Sequence, residues 1–196
     1  SSVDVLSLFD GMSCGKLALE KAGIKLGKYF ASEIEESAIQ ISKLRHKEII
    51  HLGNVEEIKA NKLPNIDLLI GGSPCQGFSM MGKQLNFDDP RSVLFFEFLR
   101  LLEETKPKFF FLENVMMKKE AKDIISKHLK TEPHKINSSL FSAQNRERLY
   151  WTNIAFDMNI RDLGIGIDSI IENDVEPVFV HNLYGGFGER KPRIFE

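Results

Sequence analysis

Four short constellations in this chain of 196 residues hold residue types that can do chemistry. Gly71-Gly72-Ser73-Pro74-Cys75-Gln76-Gly77 follows an apolar run, Ile66 to Ile70. A cysteine at the end of a buried strand, in a loop bounded by glycine and proline, is presented at the edge of a sheet. Its thiolate can act as a nucleophile where cations or amide dipoles lower its pKa. Glu113-Asn114-Val115 follows a second apolar run, Phe109 to Leu112, and Glu113 lies 38 residues after Cys75. That interval holds one loop, one crossover helix and one strand. If the two strands are neighbours, thiol and carboxyl reach the same edge, where they can act together on a heteroaromatic ring.

The third constellation is Phe9-Asp10-Gly11-Met12-Ser13-Cys14-Gly15, between a predicted strand and helix, with Glu33 at the end of the next strand. Glycine lets a backbone turn sharply and approach a ligand, and a carboxylate so placed can accept both hydroxyls of a ribose. The spacing Gly11-x-x-x-Gly15 departs from the dinucleotide pattern G-x-G-x-x-G. The fourth is Gln144-Asn145-Arg146-Glu147-Arg148. Alternating arginines in extended structure share a face and can pair with phosphate or a carbonyl. Each has a plainer reading: a strand-to-helix turn with a solvated Glu33, a small buried hydrophobe (Cys14), a first-turn Glu113, a charged guard on a strand edge. Taken singly, none decides.

The elements that must position these residues alternate. Apolar β-type runs are predicted at Val3 to Phe9, Tyr29 to Ser32, Ile49 to Leu52, Ile66 to Ile70 and Phe109 to Leu112, with a late strand at Leu149 to Phe156. Helical spacing is predicted over Leu17 to Ala22, Glu35 to Arg45, Val93 to Glu104 and Lys118 to Lys130, and Gly23 is the expected stop of the first helix. Alternation of this kind predicts an α/β fold, a doubly wound and mostly parallel sheet with helices on both faces. Ligands then collect at the carboxyl ends of the strands.

Composition is ordinary for a globular domain: 42% apolar, 28% charged, two cysteines, net charge −2. No apolar run approaches the roughly 20 residues of a membrane span. The N-terminus shows no secretion pattern, and two cysteines make no disulfide framework, so an intracellular chain is expected. A protein that binds nucleic acid through many phosphates usually has a basic surplus. Here such binding needs a localised basic face or parts outside this sequence.

Taken together and in this order, Phe9-x-Gly11, Glu33, Pro74-Cys75-Gln76, Glu113-Asn114-Val115 and Gln144-x-Arg146-x-Arg148 closely resemble the motif series of DNA (cytosine-5) methyltransferases. The resemblance covers about residues 3 to 156. Val5 to Gly11 and Ala31-Ser32-Glu33 look like the vertebrate de novo enzymes. Pro74 to Ser79 and Gly82-Lys83-Gln84 look like bacterial and phage ones.

The resemblance implies a Rossmann-like domain that binds S-adenosylmethionine over residues 1–156, in a cytoplasmic enzyme of bacterial or phage origin. It implies methyl transfer to carbon 5 of cytosine in duplex DNA, through a cysteine adduct with a flipped-out base. Cys75 would attack carbon 6, and Glu113 would meet ring nitrogen 3 and the exocyclic amino group, best while protonated, which a dry site favours. Arg148 would hold the base carbonyl, braced by Arg146 and Gln144. Gln76, Ser79 and Lys83 would meet the DNA from a lid running from Gln76 to about Arg91. For the cofactor, Phe9 would stack on the adenine, and the Gly11, Met12, Ser13 and Gly15 backbone would approach the methionine. Glu33 would take the ribose and Asn54 the adenine amino group, and Val55 and Pro74 complete the set. No metal is implied.

Two departures stand out: Asn54 where many members carry Asp, and Ser13-Cys14 where many bacterial members carry glycines. Residues 157–196 read as a segment leading toward a missing or vestigial target-recognition region, with Pro192 to Phe195 resembling the start of the family's return to its core. A truncated chain, half of a split enzyme with a second polypeptide supplying recognition, and a degenerate remnant are the alternatives. Transfer to tRNA cytosine, or a non-catalytic accessory role, are the alternative functions. Ser73 and Phe78-Ser79 favour DNA, and intact Cys75 and Glu113 favour catalysis.

Overall fold

The computed structural model describes residues 2–11, 13–72, 90–117, 119–137 and 147–154. Among these, seven strands form one sheet: β1 (Val3–Leu8), β2 (Leu26–Ser32), β3 (Ile50–Gly53), β4 (Leu68–Gly72), β5 (Phe109–Val115), β6 (His134–Asn137) and β7 (Glu147–Thr152). The helices between them are α1 (Cys14–Lys21), α2 (Glu36–Arg45), α3 (Pro90–Thr105) and α4 (Lys119–Leu129), and two 3₁₀ turns follow β3. The strand order is β3-β2-β1-β4-β5-β7-β6. The first five are parallel to their neighbours, and β7 runs antiparallel to both β5 and β6.

Apolar residues alternate between two cores because a strand turns successive side chains to opposite faces. Leu6, Leu8 and Leu69 join Phe95, Phe98 and Leu101 of α3 and Ile125 and Leu129 of α4 on one face. Val5, Leu68 and Ile70 join Leu19 of α1 on the other. Both faces are covered, so the central strands read as unbroken apolar runs. Each fully buried Leu or Phe contributes roughly 1.5–3 kcal/mol. Trp151, fully buried on β7, keeps its indole N–H satisfied by Ser126 Oγ at 3.0 Å.

Several boundaries move from the sequence expectation. Helix α1 begins at Cys14, three residues before Leu17, because a tight turn through positive-φ Phe9, Gly11 and Ser13 reverses the chain at once. It ends at Lys21, one residue before the expected Ala22, which caps it, and Gly23 follows in the left-handed region with φ +74. Strand β5 continues through Glu113-Asn114-Val115, so these residues do not follow the strand; they lie inside it. The antiparallel β7 supplies their backbone partners, pairing Glu113 with Tyr150 and Val115 with Arg148. Strand β7 itself starts at Glu147 and stops at Thr152. The short polar β6 has no apolar periodicity and was not expected.

Candidate active site

Strand β1 has β2 on one side and β4 on the other, so the winding of the sheet reverses between β1 and β4. Ligand sites in open α/β sheets form outside the carboxyl ends of the strands at such a point. A small open cleft lies there, lined by Leu8, Phe9, Asp10, Gly15, Gly71 and Gly72, among others.

The loop on its β1 side is held by side-chain bonds. Phe9, Gly11 and Ser13 all have φ near +60°, a region that costs non-glycine residues energy. Glu33, directly after β2, accepts the Gly11 N–H with Oε1 at 3.1 Å and the Ile34 N–H with Oε2 at 3.0 Å. Ser13 is fully buried; its hydroxyl bonds the Asp10 carboxylate and lies 2.6 Å from Ser42 Oγ of α2. Asp10 also accepts from the Tyr29 hydroxyl at 2.9 Å, and its N–H donates to Ser32 O at 3.0 Å. Burial pushes the Asp10 carboxyl above its ordinary pKa, against the hydroxyls of Ser13, Ser7 and Tyr29. Burial also raises Glu33, with the backbone N–H groups of Ile34, Gly11 and Glu35 opposing and the charge of Asp10 adding.

Past β3, Asn54 caps a 3₁₀ turn (Val55–Glu57), its Oδ1 accepting the Glu56 N–H at 3.1 Å. The oxygen retains a second lone pair and the amide its two donors. Val55 turns its side chain into the core, so any contact with a ligand falls to its backbone.

On the β4 side, Gly72 is the register partner of Glu113. Glu113 is 1% exposed, and Arg148 Nε of β7 lies 4.0 Å from its Oε1. Arg148 Nη1 donates to Glu147 O at 2.7 Å, while its buried Nε has no hydrogen-bond acceptor among the described residues. A buried carboxyl and an inward guanidinium donor thus stand beside the strand end from which the chain runs on toward Cys75.

Of the residues expected at the site, Phe9, Gly11, Glu33, Asn54, Glu113 and Arg148 lie on strand ends or the loops that follow them, and Gly15 lies in the first turn of α1. Ser13 sits below the loop as a tie. Met12, Pro74, Cys75, Gln76, Ser79, Lys83, Gln144 and Arg146 lie outside the described residues. Sequence reasoning passed over Asp10, whose signal was an acidic residue between a strand end and Gly11. It also passed over Ile34, an isoleucine 74% exposed beside Glu33.

A family model described as C-5 cytosine-specific DNA methylase matches residues 3–179. The chain belongs to this family. Among curated relatives it is 36% identical over 167 residues to the orphan methyltransferase M.SPRI of Bacillus phage SPR, covering 79% of this chain and 38% of that protein. It is 37% identical over 157 residues to the type II methyltransferase M1.ScrFI of Lactococcus lactis subsp. cremoris, covering 74% and 40%. The structure of the Schizosaccharomyces pombe Dnmt2 methyltransferase superposes with a TM-score of 0.64 at 25% identity, over 83% of this chain and 55% of that one. The fold is therefore the Rossmann-like fold of S-adenosylmethionine-dependent methyltransferases. The chain spans about two fifths of the length of these two curated relatives.

Proposed function

We propose that this chain carries the catalytic half of a DNA cytosine-5 methyltransferase, in which Cys75 forms a covalent adduct with a flipped-out cytosine. The observation that carries the reading is the Gly72–Glu113 register pair with Arg148 Nε 4.0 Å from the Glu113 carboxyl. It brings the chain that leads to Cys75 away from the sheet directly beside a buried acid and a guanidinium donor.

The residues suit the cofactor. Gly11 has positive φ and open space where a Cβ would stand, so a ligand can lie against its backbone. Each Glu33 oxygen takes one backbone N–H and keeps a lone pair for a ribose hydroxyl. Asn54 can accept from the adenine amino group without a charge, and Phe9 and the exposed Ile34 offer apolar surface to the ring. When bound, S-adenosylmethionine supplies an electrophilic methyl group.

Carbon 5 of cytosine is a weak nucleophile until electrons enter the ring. Cys75 supplies them by bonding carbon 6. Glu113 meets ring nitrogen 3 and the exocyclic amino group, and the open Arg148 donor meets the carbonyl, so charge pushed into the ring falls on oriented hydrogen bonds. After transfer, water takes the carbon 5 proton, the freed electron pair restores the 5,6 double bond, and the carbon 6–sulfur bond breaks with its pair going to sulfur, regenerating the thiolate. By the family resemblance, Gln76, Ser79 and Lys83 meet the backbone of duplex DNA, and Gln144 and Arg146 brace Arg148.

Labelled S-adenosylmethionine offered with duplex DNA or with tRNA, to wild type and Cys75→Ser, tests the reading. Label on DNA cytosine that disappears in the variant, with cofactor affinity retained, is expected. Label confined to tRNA, or undiminished transfer by Cys75→Ser, overturns it.

A further inference from the structure

Asn54 sits on a short 3₁₀ turn, and such turns hold their shape poorly without outside support. The support is Arg100 of α3. Its Nη2 donates to Val55 O at 3.1 Å and its Nη1 to Ile58 O at 3.0 Å. Val55 O also accepts the Ile58 N–H at 3.2 Å, so the turn bond and the guanidinium fill both of its lone pairs. Glu97 binds Arg100 Nε at 2.8 Å and Nη2 at 2.6 Å, and Glu104 binds Nη1 at 3.0 Å. Three and four residues away on the same helix, these carboxylates fix the guanidinium plane and balance its charge. A planar fork is needed because two carbonyls are held at once; an ammonium on a flexible stem does not reproduce that geometry.

We propose that Arg100 is a positioning residue for the adenine end of the cofactor site, holding the Asn54 carboxamide where it meets the adenine amino group. This rests on the reading above that Asn54 binds adenine. It adds that the discrimination comes from a helix distant in sequence, whose N-terminal end receives the chain from the Cys75 loop.

The test compares wild type and Arg100→Lys, which keeps the charge but not the fork. Titration calorimetry with S-adenosylhomocysteine is expected to show a loss of affinity on the order of three- to tenfold. With the analogue that carries hydrogen in place of the adenine amino group, the two proteins are expected to bind alike. Equal weakening toward both ligands means a general structural loss and overturns the proposal, as does unchanged affinity for the natural ligand. Hydrogen exchange without ligand reads the support itself: Arg100→Lys is expected to speed exchange at the Glu57 and Ile58 amides, with the central strands unaffected. Unchanged exchange there overturns it too. If wild type binds neither ligand, it is the cofactor reading that fails, while the exchange result still decides whether Arg100 holds the turn.

Discussion

Among the described glycines, Gly71 is one where a side chain would meet a buried aromatic ring. A Cβ on Gly71 would stand 2.7 and 2.9 Å from two ring carbons of Phe98 and 3.7 Å from Leu112 Cδ1. Phe98 is fully buried among the α3 and sheet side chains, so its ring has nowhere to swing. Gly71→Ala therefore forces β4 and α3 apart, an overpacking that costs about 1–3 kcal/mol. Alanine's smaller unfolded-state entropy returns roughly 0.5–1 kcal/mol, so we expect a net loss of about 1–2 kcal/mol. With a urea slope of about 1–3 kcal/mol/M, the midpoint should fall by roughly 0.5–1 M. Phe98→Leu removes the offending ring carbons, so the double variant should be more stable than the two single losses predict, by at least about 0.5 kcal/mol. Methyl transfer should fall with Gly71→Ala as well, because the next residue, Gly72, pairs with Glu113. Gly71→Ala with an unchanged urea midpoint, or single losses that simply add, would refute the packing argument.

Two further substitutions probe the cofactor loop. Glu33→Gln keeps an acceptor for the Gly11 N–H but loses the charged one for the ribose, and should weaken S-adenosylmethionine binding about tenfold or more; calorimetric affinity within twofold of wild type counts against the assignment. Burial raises the Glu33 pKa, so wild-type binding should begin to weaken on acidification above the range of an ordinary glutamate, and Glu33→Gln should lack that step. Asp10 is likewise raised by burial: its protonated form favours the fold, a contribution fully present below pH 3.8 and lost as pH rises through the higher folded value. Asp10→Asn should thus flatten the pH dependence of urea stability above pH 3.8, and an unchanged profile would show that Asp10 does not supply it.

The sheet and its order of elements were legible because central parallel strands, buried on both faces, must be apolar throughout. Val3 to Leu8 and Leu68 to Ile70 admit little else. Boundaries were less legible where a tertiary partner sets them. Glu113 and Asn114 look like loop residues until β7 pairs with them, and nothing local in His134–Asn137 marks a strand that exists only by pairing with β7. Glu33, Asn54, Glu113 and Arg148 were singled out by the motif resemblance, and their roles are those proposed for the cofactor and the base. The Asp10–Ser13–Ser42 tie and the Arg100 support were not legible, because each joins residues 29 or more positions apart at one end through types that are common on any surface.

That tie also explains how the cofactor loop holds a conformation that side chains resist. Phe9 and Ser13 stand at positive φ beside Gly11, a strain of order 1–3 kcal/mol at each non-glycine residue. Hydrogen bonds to charged acceptors contribute about 1.5–3 kcal/mol each. The loop has three of them: Ser13 and Tyr29 on Asp10, and the Gly11 N–H on Glu33. These bonds are large enough to offset the strain, so side-chain bonds hold the loop in shape together with the conformational freedom of Gly11. Burial raises both acids, so at each of them the fold favours the protonated form, and lowering the pH does not by itself melt the loop. The acid sensitivity expected of cofactor binding therefore belongs to the proposed Glu33 ribose contact and not to a collapse of the loop.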